Sequence, residues 1–250
     1  MGACGVEGSY EIRDVTEADL PEFVRSLREG AYRGCNVTMP YKAVLAGRCD
    51  RLEGDARVLG VVNTITVEER SLIGANTDAL GFQQAMELEG LAPQPGFAAL
   101  VLGAGGAATA VCLALARWEA SLVSLVTRRP EAVRSIAERL AGVVEVTGVA
   151  WEPDALVPLL DGLGLVVNAT PAGLSQLPLH PRALPASCTV ADVRYRPAPV
   201  DVVSAARAAG LKASDGREML VQQGLLSFRR WTGLEAPAPV ARRALAEALG

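Results

Sequence analysis

Aromatic residues are scarce in this 250-residue chain, at 4% of the sequence, and histidine occurs once. Lysine is almost missing too: of 24 basic residues, only Lys42 and Lys212 are lysines. The chain has no cluster of basic residues interleaved with aromatics, and its net charge is −4, so nucleic acid is not expected as a partner. The five cysteines, at 4, 35, 49, 112 and 188, are odd in number and contain no C-x-x-C spacing. Disulfide frameworks and zinc knuckles are therefore excluded, and reduced, mostly buried thiols in a cytoplasmic protein are expected. No His/Cys spacing suggests a metal site. The first residues, MGACGVEGSYE, lack a charged stretch followed by an apolar one, so no secretion leader is expected there. The uncharged apolar stretch at residues 97–116 holds three glycines at 103, 105 and 106, which argue against a continuous membrane helix.

What is abundant is small and aliphatic. Half of the residues are hydrophobic, with Ala, Val, Leu and Gly prominent. That composition suits an α/β protein whose buried strands are covered by Ala/Leu-rich helices. Residues 9–15 alternate like a strand, and 16–31 follow with an amphipathic pattern and Thr16 as N-cap. The segment 34–39 reads as a short strand stopped by Pro40, and 41–60 as helical with an irregular middle. Residues 61–78 read as two short strands joined by the polar turn Glu68–Ser71. After a helix at 79–91, residues 92–96 (APQPG) form the clearest linker.

From residue 97 the pattern becomes strand and helix in turn. Strands are expected at 98–102, 122–127, 144–149, 165–170, 189–193 and 212–214, the rhythm of a doubly wound parallel sheet. The expected organisation is an N-terminal α/β substrate domain at 1–95 and a Rossmann-type domain at 96–216. Helices at 217–250 are expected to pack back on the first domain.

Two motifs carry chemistry. Between the first strand and helix of the second half stands VLGAGGAATAV, giving Gly103, Ala104, Gly105, Gly106, Ala107 and a small Ala108. The first glycine permits a tight turn and the second lets a pyrophosphate approach the backbone N–H groups at the helix start. The next strand ends Thr127-Arg128-Arg129, where NAD-binding proteins usually carry an acid for the ribose hydroxyl. A carboxylate would repel a 2′-phosphate and a guanidinium binds one, so NADP is the expected cofactor. Two exposed arginines capping a strand in an Arg-rich chain would look the same from the sequence.

The other motif is GCNVTMPYK, residues 34–42. In a chain that uses Arg nearly everywhere, Lys42 is a candidate for proton transfer, because Lys can give up its proton and Arg cannot. Reducing a ketone needs a hydride and a proton for the new alkoxide. The single histidine, His180, lies in the Pro-flanked loop LPLHPR and is expected to be exposed, so a Lys–acid pair is the natural substitute.

GCNVTMPYK, GVVNTI, GANTDALGF, LGAGGAA, VTRRP, VNATPAGL, ADVRYRP and DGREMLVQQGLLSFRRWTG, in this order and spacing, resemble the shikimate dehydrogenase family over nearly the whole chain. The resemblance implies reversible NADPH-dependent reduction of 3-dehydroshikimate to shikimate in a cytoplasmic monomer or homodimer. It implies that Lys42 is the catalytic lysine and Asp78 its acidic partner. It implies that Thr38, Asn63, Asp78 and Gln223 bind substrate hydroxyls and that Tyr195 lies near the substrate carboxylate. Gly103 to Ala107, Thr127, Arg128, Thr170, Gly216 and Met219 fall in cofactor-contacting motifs. The chain departs from the family in reading TRR where NRT is usual.

It also departs in setting residue 9 against the family's second strand, so about one β–α unit with its Ser-x-Ser pair has no counterpart. The expectation is either a start recorded late or a weakened grip on the substrate carboxylate. A quinate/shikimate paralogue and a non-catalytic NADP-binding protein remain as alternatives. As structural readings, Asp78 would N-cap a helix and Asn63 would hold a turn.

Overall fold

The computed structural model describes residues 2–197 and 200–249. It divides into two compact units, Met1–Thr77 with Gln223–Glu247, and Asp78–Gln222 with Ala248–Gly250.

In the first unit, helix α1 (Leu20–Arg28) opens with Pro21, whose fixed φ suits a first helical turn. Thr16 does not cap it directly. Its Oγ accepts the Asp19 N–H at 3.3 Å and so closes a turn one step earlier. Strand β1 (Gly34–Asn36), helix α2 (Lys42–Ala46), strand β2 (Arg51–Leu52) and helix α3 (Asp55–Leu59) follow. Strands β3 (Thr64–Glu68) and β4 (Ser71–Ala75) then form a hairpin. The sheet order is β1-β3-β4-β2, antiparallel except for the parallel β2–β4 pair. Leu27, Leu45, Val62, Ile65 and Leu72 make the core beneath it.

Two expectations change here. Residues 9–15 form no strand, and Ile12 is 92% exposed. Alternation marks which face a strand would bury, but this segment joins neither sheet: it reaches β1 through a side chain, the Tyr10 hydroxyl donating to Asn36 at 2.9 Å. The irregular middle of 41–60 holds β2, two residues recruited by β4.

The hairpin turn is built from unexpected residues. Glu68 pairs with Ser71, and the two residues between, Glu69 and Arg70, have φ values of 47° and 73°. A type I′ turn requires positive φ at both positions, which Asn-Gly adopts at little cost and L-residues with long side chains do not. Replacing Glu69 by Asn and Arg70 by Gly together should raise the stability of this unit by about 1 kcal/mol. An unchanged or lowered urea midpoint would count against this account of the turn.

The second unit begins with helix α4 (Asp78–Leu88). Strand β5 (Ala98–Leu102), helix α5 (Gly106–Arg117), strand β6 (Leu122–Thr127) and helix α6 (Pro130–Arg139) follow. Then come strand β7 (Val146–Ala150), the short helix α7 (Pro153–Leu156), strand β8 (Leu163–Asn168) and strand β9 (Thr189–Asp192). Helix α8 (Asp201–Ala208) and strand β10 (Lys212–Ser214) complete the sheet, in the order β10-β9-β8-β5-β6-β7 with every pair parallel. The central strands β8, β5 and β6 are short, largely aliphatic runs, as the covered interior of a parallel sheet requires. The uncharged run 97–116 is thus a strand, a turn and a helix, and among the described residues no helix is long and apolar enough to cross a membrane.

The Pro/Gly stretch 92–96 lies inside this second unit rather than at its edge. Helix α4 packs on α5: Phe82 meets the Trp118 ring at 6.0 Å, the Trp118 indole donates to Glu87 and Arg117 donates to Gln83. Helix α9 (Gly216–Thr232) runs from the second unit into the first, and α10 (Ala238–Leu249) ends the chain.

Within the first unit, the Trp231 indole donates to the Ile65 carbonyl at 2.9 Å, and Arg230 bonds Glu53 at 2.6 Å. The first contact depends on Gly34, where a Cβ would fall 2.1 Å from the Ile65 oxygen and 2.4 Å from the indole nitrogen. All five cysteines are free, with Cys112 and Cys188 buried and the other three half-buried. Burial pushes the Cys35, Cys112 and Cys188 thiols up to about 12 and Cys49 to about 11, so these four are protonated at neutral pH.

Candidate functional site

The first unit gathers Thr38, Lys42 and Asn63 through backbone bonds. Val37 N–H donates to the Asn63 carbonyl at 2.8 Å, and Val62 N–H donates to the Lys42 carbonyl at 3.0 Å. Tyr41 N–H donates to the Thr38 carbonyl, closing the turn through Pro40 that begins α2 at Lys42. Lys42 is half-buried and Thr38 exposed.

Asn63 is 3% exposed and holds a polar network rather than a turn alone. Its amide donates to Thr77 Oγ at 2.9 Å, and its carbonyl oxygen accepts the Thr77 N–H and the Thr64 hydroxyl, each at 2.9 Å. Thr64 also meets Ser227 Oγ at 2.8 Å, and the Asn36 amide reaches Ser227 at 3.1 Å. Ser227 donates to the carbonyl of Gln223, which ties that residue to the same network. Thr64 and Ser227 are wholly buried, where such groups must be paired.

Sequence reasoning missed Asn36, Thr64, Thr77 and Ser227. All four stand inside the motifs quoted for their neighbours, which was the available signal, but nothing in those motifs pairs Ser227 with Thr64, 163 residues away. A cavity of about 650 Å³ opens nearby, lined by Tyr10, Gly34, Asn36, Thr38 and Trp231, with Lys42 outside its lining.

In the second unit, the glycine turn is built as a dinucleotide turn needs. Gly103 has φ +111°, and a Cβ there would fall 2.8 Å from Thr170 Cγ2. Gly105, extended, is the N-cap of α5, and a Cβ on it would meet nothing within 4 Å. The space before the first N–H groups of α5 is therefore open, while Ala108, fully buried, lets α5 settle on the sheet. Gly103 N–H donates to the Val126 carbonyl, which brings the turn beside the end of β6. There Thr127 is buried and its hydroxyl accepts the Arg129 N–H at 3.0 Å, while Arg128 is exposed. No acid occupies this strand end, so these residues fit a dinucleotide carrying a 2′-phosphate.

Thr170 is fixed from behind. Asn168 Oδ1 accepts the Thr170 N–H at 3.1 Å and its hydroxyl at 2.7 Å, and the Asn168 amide donates to the Ala172 carbonyl and to Asp192. Asp192, with no side-chain exposure, takes a two-nitrogen grip from Arg194 at 2.7–3.1 Å, and Arg194 also bonds Asp201 at 2.7 Å. Burial would raise the Asp201 carboxyl, but the Leu174 N–H and Arg194 outweigh it and hold the group below its usual range. This Asn168–Asp192–Arg194–Asp201 chain was also missed.

Gly216 opens α9 with its N–H on the Arg194 carbonyl, and a Cβ there would collide with the Val193 oxygen at 2.1 Å. Met219 lies one turn on, Tyr195 follows Arg194 and is half-buried, and Asp78, 7% exposed, is the first residue of α4. His180 is exposed, its Nδ1 accepting the Arg182 N–H. Among the described residues no cluster of His, Cys, Asp or Glu could hold a metal.

A six-stranded parallel sheet with an open glycine turn and a basic strand end beside it defines a nucleotide-binding α/β protein, here carrying a second, smaller mixed-sheet unit. The model of the shikimate dehydrogenase substrate binding domain matches residues 1–65, and that of the shikimate 5′-dehydrogenase C-terminal domain matches 216–246. The NADP(+) shikimate dehydrogenase of Rubrobacter xylanophilus is 40% identical over 98% of this chain and 87% of its own. That of Methylobacterium radiotolerans is 40% identical over 92% and 82%. The shikimate 5-dehydrogenase of Thermus thermophilus, solved with NADP(H) and shikimate, superposes with a TM-score of 0.85 at 36% identity, covering 98% of this chain and 90% of that one. The chain belongs to the shikimate dehydrogenase family.

Proposed function

We propose that this chain is an NADP-dependent shikimate dehydrogenase, reversibly reducing the C3 carbonyl of 3-dehydroshikimate to the alcohol of shikimate. The observation that carries the reading is the 40% identity across 98% of the chain to a relative of that activity, with the proton-transfer and glycine-turn motifs both complete. Bound NADPH supplies the hydride. Lys42 gives the proton to the carbonyl oxygen, and its ammonium stabilises the negative charge that develops there. Asp78 is the acidic partner of that lysine.

Thr38, Asn63 and Gln223, with Asp78, bind the substrate hydroxyls, and Tyr195 lies by the carboxylate. The backbone bonds that join Thr38, Lys42 and Asn63 support this, because they fix the three residues through main-chain atoms alone. The buried Asn63–Thr77–Ser227 network supports it too, since a pre-set shell lowers the cost of ordering groups around a substrate. On the cofactor side, Gly103 to Ala107 and Thr170 form the pyrophosphate turn, Thr127 and Arg128 the adenosine end, and Gly216 and Met219 border the nicotinamide end.

Residues 1–77, with the helices after 222, act as the substrate domain, and the parallel-sheet unit acts as the cofactor domain. The reaction takes place in the cytoplasm, in a monomer or homodimer. The test is NADP+ reduction with shikimate as substrate and quinate in parallel. Turnover with shikimate is expected, at a kcat/KM well above that for quinate. A chain that binds NADPH but turns over neither substrate would remove the catalytic reading.

A further inference from the structure

We infer that Trp151 is a positioning residue for cofactor choice, holding the Arg128 guanidinium ready for the 2′-phosphate of NADP(H). The inference rests on the NADP reading above and adds a residue to it. Strands β6 and β7 run parallel with Thr127 opposite Ala150. Arg128 and Trp151 are each the next residue, so both leave the sheet side by side just past the last ladder pair. Arg128 Cζ stands 5.1 Å from the centre of the Trp151 ring. The ring itself is anchored: Trp151 is half-buried and packs on the cluster formed by Leu100, Leu102 and Val126 at the C-terminal half of the sheet.

The kind of contact matters. A carboxylate partner would occupy guanidinium N–H groups and cancel the charge, leaving less for a phosphate. A ring face attracts the cation through its quadrupole and uses none of the five N–H donors. The charge therefore stays whole and the donors stay available while the long side chain is restrained. Restraining it beforehand removes part of the ordering cost that phosphate binding would otherwise carry. Trp151 thus acts on the cofactor only through Arg128, so its effect should appear with phosphorylated cofactors and vanish without the phosphate.

The experiment is calorimetric titration of the whole chain with NADPH, NADH and 2′,5′-ADP. Trp151→Leu keeps apolar bulk against the cluster but loses the ring. It should weaken NADPH and 2′,5′-ADP by about 3–10-fold and leave NADH within about 2-fold. Trp151→Phe keeps a ring face and should recover most of the loss even if the indole's packing is imperfect. In an Arg128→Ala background the Leu substitution should cost nothing further.

Equal weakening of NADPH and NADH would make Trp151 a packing residue only and overturn the proposal, as would an unchanged NADPH affinity in Trp151→Leu. A wild-type chain that binds NADH as tightly as NADPH would instead fail the NADP reading, and this proposal with it. Those results differ in the wild-type titration alone.

Discussion

Replacing Lys42 by Ala is expected to lower kcat for shikimate oxidation by about 10²–10⁴-fold while NADPH binds as before. The substitution removes the side chain only. The Lys42 carbonyl that receives the Val62 N–H remains, so α2 and the strand beyond Asn63 keep their positions. The one histidine is exposed in a loop of the other unit and accepts a backbone N–H, so it offers no substitute acid.

Lys42→Arg separates the two roles proposed for this residue. Arg retains the positive charge but cannot give up a proton at any working pH. If proton transfer is the larger part, Lys42→Arg should be nearly as slow as Lys42→Ala. Near wild-type turnover in the Ala variant would end the proton-transfer role. Recovery in the Arg variant alone would reduce the role to electrostatic stabilisation.

Replacing Arg194 by Met should destabilise the second unit by about 3–5 kcal/mol. Asp192 has no side-chain exposure, and Arg194 supplies its charge partner through two nitrogens. Without that fork an uncompensated carboxylate stays buried beside the Asn168 amide. The cost should therefore fall sharply when Asp192→Asn is added, because the amide carries no charge to strand.

A contribution from Asp201 is lost as well, with a pH signature. Its carboxyl is held below 3.8 in the fold, so its stabilisation is present above that value and disappears as pH falls through the folded-state value. With the side chain half-exposed, this arm is the minor one. Thermal unfolding of the single and double variants checks both statements; equal melting points for wild type and Arg194→Met would refute them. Thr170 depends on Asn168 in the same chain of bonds, so Arg194→Met should also weaken NADPH binding by loosening the wall behind Gly103.

The two halves were unequally legible in the sequence. Strands 98–102 and 122–127 appear at the residues expected, because each is a local run of mainly small or aliphatic residues and parallel pairing needs only such runs in series. The first unit is written less locally. Segment 9–15 alternates as a strand should and remains irregular, since alternation selects a face but cannot supply a neighbour. Strand β2 is two residues long and exists because β4 pairs with it. The hairpin is visible from its flanking strands, though its turn residues, Glu69 and Arg70, oppose the turn they make.

The sequence by itself determined the parallel sheet, the glycine turn, the basic end of β6 and the singular lysine, because each of these is a short stretch whose chemistry is complete within a few neighbouring residues. The tertiary structure alone decided which distant groups complete one another. Ser227 closes the network on Asn36 from 191 residues away, Trp231 finds the Ile65 carbonyl across the notch left by Gly34, and Trp151 comes to lie under Arg128. None of these pairings has a local signature. A buried hydroxyl, an indole or a guanidinium takes whichever partner the packed backbone presents, and only the folded register of strands and helices says which one that is.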